Sequence, residues 1–75
     1  MSQEVIRVKP EHIEKGIQKY HAERDVELNA IINRHGFDYT VYRFQDGRVL
    51  LVLPHNISAF LYKNEDHLFD SLDLT

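Results

Sequence analysis

Five histidines, His12, His21, His35, His55 and His67, are the side chains of this 75-residue chain with the most obvious capacity for chemistry. A zinc site on a helix needs two of them three or four residues apart, so that both imidazoles leave one turn, as in His-Glu-x-x-His. His12 and His21 are nine apart, His21 and His35 are fourteen apart, and no Glu-x-x-His occurs. A site assembled in three dimensions from His35, His55 or His67 is the remaining metal reading. Its alternative is histidine on a polar face or in a turn, and that is the expectation. No metal ligand, cofactor-binding residue or catalytic residue is assigned.

Nucleophilic catalysis has little to build on. Cysteine is absent, which also removes disulfides and thiolate metal sites. Ser2, Ser58 and Ser71 are the only serines, and none lies in a Gly-x-Ser-x-Gly elbow. Gly16, Gly36 and Gly47 are isolated, so no phosphate-cradling glycine loop can form. Glu23 and Glu27 form a carboxylate pair at helical spacing, which on a charged helix faces solvent.

Two stretches interleave aromatics with cations, Tyr42-Arg43-Phe44 and Phe60-Leu61-Tyr62-Lys63. On a sheet, such residues can stack bases. The net charge of −3 opposes this, because backbone affinity for nucleic acid depends on cations, and nucleic acid is not the expected partner. Charge is unevenly placed. Residues 1–36 carry six basic and six acidic side chains, and residues 37–75 carry three basic against six acidic. Leu68-Phe69-Asp70-Ser71-Leu72-Asp73-Leu74 alternates acidic and apolar groups, a pattern that can dock on a basic-rimmed groove or fold back as a terminal helix.

The elements that would position these residues are legible from periodicity. Residues 3–8 are β-prone and suit an edge strand or arm. Pro10 then opens a helix, with Glu11 near its positive end. Ile13, Ile17, Tyr20, Leu28 and Ile31 recur at spacings of three and four once Arg24 fills the gap between Tyr20 and Leu28, predicting one helix over 10–34 that ends at His35-Gly36. Gly16 weakens it, and a break near 21–25 is the alternative. Ala22, Val26 and Ala30 form a second apolar strip on that helix. Asp46-Gly47 reads as a two-residue hairpin turn that pairs Phe44 with Val49, Tyr42 with Leu51 and Thr40 with Leu53. That register gathers one apolar face, on the rule that register follows the buried side. The other face carries Tyr39, Val41, Arg43, Gln45, Arg48, Leu50 and Val52. Residues 57–63 fit a third strand through Phe60 and Tyr62, or a helix capped by Asn56. The strand is preferred, because Asn64-Glu65-Asp66 reads as a fresh helix start leading to 72.

The expected fold is α+β: one domain over 1–75, with one long amphipathic helix on a three-stranded antiparallel meander and a short C-terminal helix, in the order β-α-β-β-β-α. The run helix, three strands, helix is similar to double-stranded-RNA-binding domains. The closing segment 65–73 has no lysine or arginine, whereas that family needs basic residues there to reach phosphates.

Burial of roughly 8,000 Å² for a chain this size, a little over half of it apolar, contributes on the order of 110 kcal/mol, about what ordering it costs. A partner chain is the simplest additional source of stability, and a homodimer is expected. No apolar run reaches a membrane span and no leader pattern precedes the domain, so a cytoplasmic protein of bacterial or phage origin is expected. The functional expectation is a small non-enzymatic interaction or regulatory domain without cofactors. Its expected contact residues are Tyr39, Val41, Leu50 and Val52 on the second hairpin face, with Leu68, Phe69, Asp70, Leu72 and Asp73 in the tail. The alternatives are a nucleic-acid-binding regulator and a small histidine-based enzyme or metal domain.

Overall fold

A computed structural model of the chain describes residues 5–74. Residues 3 and 4 of the expected first strand lie outside that range. The elements run β1 (Ile6–Val8), α1 (Pro10–Lys19), β2 (Glu23–Arg24), α2 (Val26–Arg34), β3 (Thr40–Arg43), β4 (Val49–Val52), a 3₁₀ turn (Pro54–Asn56), β5 (Ala59–Tyr62) and α3 (Glu65–Ser71). Among the described residues the strands form one antiparallel sheet in the order β1-β5-β4-β3-β2. The α+β class and the central meander β3-β4-β5 are as expected. The sheet has five strands: the edge strand expected within 3–8 joins the meander as β1, and the two-residue β2, which was not expected, joins its other edge. No helix of the described residues is long and apolar enough to cross a membrane.

The single helix expected over 10–34 is two helices, and the break has a clear local cause. The Ala22 N–H donates to the Ile17 carbonyl at 3.0 Å and the His21 N–H to the Gln18 carbonyl at 3.4 Å, while His21 sits at φ 52°. This is the Schellman ending, with histidine in the left-handed position that glycine usually takes. Four residues after His21 the Asp25 carboxylate accepts the Leu28 N–H at 3.1 Å and caps α2. The same ending closes α2, with Gly36 at φ 94° and the Phe37 N–H on the Ile32 carbonyl. It closes α3 too, with Asp73 at φ 58° and the Leu74 N–H on the Phe69 carbonyl.

Splitting the helix puts its halves on opposite sides of the sheet. One core cluster joins Leu28 and Ile32 of α2, Leu68 of α3 and the strand residues Val41, Val49, Leu51 and Tyr62. The other joins Ile13 of α1 to Phe44, Leu50, Val52 and Ala59. The sheet is therefore a middle layer, with α1 on one face and α2 and α3 on the other.

That layering explains the hairpin register. The strands pair Thr40 with Val52, Val41 with Leu51, Tyr42 with Leu50 and Arg43 with Val49, one step from the expected pairing. The loop has three residues. The Phe44 N–H donates to the Arg48 carbonyl and the Gly47 N–H to the Phe44 carbonyl, with Gly47 at φ 94°. Asp46 holds the far side, accepting from the Arg48 N–H at 3.1 Å and from Arg48 Nε at 2.8 Å. All four β4 residues are buried, so no single apolar face was there to select the register. Turn chemistry selected it instead.

Candidate functional site

The two sheet faces are covered unequally. On one side α2 buries Leu28, Asn29 and Ile32, and α3 buries His67 and Leu68. On the other, α1 has Ile13 as its fully covered side chain and Ile17 half-buried. Beside α1 an apolar groove of about 260 Å³ stays open. Its floor is Phe44, Leu50 and Leu61, and its wall is one stripe of α1, His12, Gly16 and Tyr20, at four-residue spacing. Past Arg48 and Leu61 lies a second hollow of about 190 Å³, edged by Ile6 and Lys63. Ile6 is 56% exposed and Tyr20 51%.

Tyr20, Phe44 and Arg48 line the groove, and Lys19 stands over the Tyr20 ring. Tyr20 meets Phe44 edge-on with ring centroids 6.1 Å apart, the Arg48 guanidinium lies 5.2 Å from the Phe44 centroid, and Lys19 Nζ lies 5.4 Å from that of Tyr20. Among the described residues, no carboxylate lines either hollow. Gly16 has no local conformational reason to be glycine. It lies mid-helix, where glycine costs about 1 kcal/mol relative to alanine, and a Cβ there would meet nothing within 4 Å.

A wider cleft of about 560 Å³ lies at the β2 edge, lined by charges of both signs. Its central groups are committed to the fold. Arg43 Nε donates to Asp25 Oδ2 at 2.8 Å, and Arg43 Nη2 to Glu65 Oε1 at 3.3 Å, so one guanidinium ties the starts of α2 and α3 to β3. Burial works against the Asp25 charge, but the Leu28 N–H and Arg43 outweigh it and hold the carboxyl below its usual value. Glu23 and Glu27 both line this cleft, from a strand and from the first turn of α2, so their expected pairing on one helix is not formed.

The histidines are dispersed over His12 on α1, His21 just past it, His35 at the α2 C-cap, His55 in the 3₁₀ turn and His67 in α3. Among the described residues, no three His, Asp or Glu side chains gather as a metal-holding group. His67 is buried, its Nδ1 accepting the Lys63 N–H at 3.1 Å and its ring edge-on to Tyr62.

The expected contact residues are not brought together. Val41 points with Tyr39 toward the α2/α3 side, whereas Leu50 and Val52 lie under α1, so the expected second hairpin face does not exist as one surface. Val41, Leu50, Val52 and Leu68 are buried, not exposed. Phe69 and Leu72 pack half-buried against the α2/α3 core, which makes the tail a folded layer of the domain. Asp70 and Asp73 are exposed. The aromatics expected on a stacking face are also divided, with Tyr42 and Phe44 on the α1 side and Phe60 and Tyr62 on the other. Sequence reasoning missed the groove, for which Gly16, a helix-weakening residue without a local role, was the available signal. Comparison of the chain with family models, curated proteins and solved structures finds no match.

Proposed function

We propose that this chain is a non-enzymatic protein-interaction domain whose working surface is the α1 side of its sheet. The observation that supports this reading is the unequal covering: two helices shield one face, one ten-residue helix shields the other, and an apolar groove remains beside it. Concave apolar surface with a few polar groups on its rim is what binding sites are made of. The groove carries one titratable imidazole and one guanidinium, His12 and Arg48, which suits recognition better than acid–base catalysis. A second copy of the chain is the competing occupant.

A photo-crosslinking residue placed at exposed His12 or Tyr20 tests the reading in native cells, with exposed Ala30 on α2 as control. Polypeptide adducts concentrated at the first two positions are expected. Equal yields at all three, or none, would remove the basis for this reading.

A further inference from the structure

We infer that the groove receives an acidic amphipathic helix of a partner protein, laid alongside α1. This deepens the reading above and rests on it. Three independent features lead to that occupant. The α2/α3 face shows what a completed side of this sheet looks like, two helices over the strands, and the α1 side lacks the second one. Gly16 sits on the groove wall with open space before it, although its backbone is ordinary helix and nothing within the chain approaches closely enough to require glycine. A bare Cα there lets a neighbouring helix come in at the short end of the interaxial range, about 8 Å.

The third feature is charge. The chain is net negative, yet the groove beside α1 is lined by His12 and Arg48 and the neighbouring hollow by Arg48 and Lys63, neither by a carboxylate among the described residues. Arg48 holds Asp46 through Nε while its guanidinium lies over Phe44 at the rim. An apolar helix stripe flanked by Glu or Asp would place its side chains on Val8 and Leu61 and its carboxylates near Arg48 and Lys63. The Asp46 carboxylate, 2.8 Å from Arg48 Nε, offsets part of the Arg48 charge, so Lys63 carries most of the selection against a basic helix.

The test is an amide-shift titration of the isotope-labelled full chain with three synthetic helical peptides of about 18 residues. One carries a leucine stripe with glutamates elsewhere, one is its scrambled isomer, and one replaces glutamate by lysine. The acidic amphipathic peptide is expected to bind with Kd below about 100 µM and to shift the Gly16, Tyr20 and Leu61 amides. The scrambled and lysine peptides are expected to bind at least about tenfold more weakly. R48E is expected to lose about tenfold, and G16L to block binding while melting no lower than wild type, because the new side chain enters open space. Equal binding of all three peptides, full binding to G16L, or shifts confined to α3 would overturn the inference. Lysine-peptide binding at the same amides would overturn the acidic assignment and leave the interaction reading standing. Concentration-dependent shifts of those amides without peptide would make the occupant a second copy. No peptide binding together with silent crosslinkers at His12 and Tyr20 would end both.

Discussion

Asn29 carries an unusual share of the tie between α2 and the sheet, and its replacement has a calculable cost. β2 pairs only with Arg43 and Tyr42 of β3, because the chain turns into α2 at Asp25. Beyond that point the edge of β3 is satisfied by other means. The Asp25 N–H donates to the Val41 carbonyl at 3.0 Å, and the Asn29 side chain does the rest. Its Oδ1 accepts the Val41 N–H at 3.1 Å and its Nδ2 donates to the Tyr39 carbonyl at 3.0 Å. Asn29 is buried and Val41 has no exposed surface, so water cannot replace these bonds. In N29A the Val41 N–H loses its side-chain partner, at about 1–3 kcal/mol for a buried orphan. The Tyr39 carbonyl keeps a long bond of 3.4 Å from Asn33 Nδ2, so it adds less. The expected total is about 2–3 kcal/mol. For a domain this small that lowers Tm by roughly 10–20 °C. N29D separates the two bonds. It keeps an acceptor for Val41 but turns a carboxylate toward the Tyr39 carbonyl, which raises its folded pKa above the unfolded value near ~3.9. N29D is therefore most stable relative to wild type below that pH and loses stability as pH rises through its raised value. Urea melts across pH read both effects. N29A within about 0.5 kcal/mol of wild type, or an N29D penalty independent of pH, would refute this role for Asn29.

Three further outcomes are expected. L51A removes a side chain from the α2/α3 core and should cost about 2–5 kcal/mol, while R43A should cost about 1 kcal/mol, discounted for 38% side-chain exposure but above an ordinary surface change because two helix starts lose their tie; urea melts rank them. The lowered Asp25 pKa means that its contribution is present above the usual value of 3.8 and is lost as pH falls through the folded value, so acid titration should destabilise wild type more steeply than D25N. H21G should raise stability by up to about 1 kcal/mol in thermal melts by relieving a left-handed histidine at the end of α1.

His21 also explains what could not be read beforehand. A glycine at that position would have announced the end of α1, as Gly36 announced the end of α2. With histidine there, only Gly16 hinted at the alternative break near 21–25, where the helix does divide, and the spacing from Ile17 through Tyr20 to Leu28, with Arg24 in the gap, imitated one continuous stripe. Asp25 was an unrecognised cap inside that stripe. The strand 59–62 and the helix starting at 65 were legible, because Asn64 makes the capping bond its type suggests, to the His67 N–H at 2.8 Å. The hairpin was legible as a hairpin, but its register depended on which face is buried, and both are. Gly16 alone hinted at the groove, which arises from the unequal number of helices on the two faces, a consequence of the break at His21.

The central claim, that the α1 side of the sheet is the binding surface, is tested most directly by an isotope-filtered nuclear Overhauser spectrum of the methyl-labelled domain bound to a polypeptide it captures. Cross-peaks to the partner are expected from the methyls of Val8 and Leu61, which line the groove half-exposed. Cross-peaks from Leu72 and Leu74 on the α2/α3 side, with silence from those two, would contradict it.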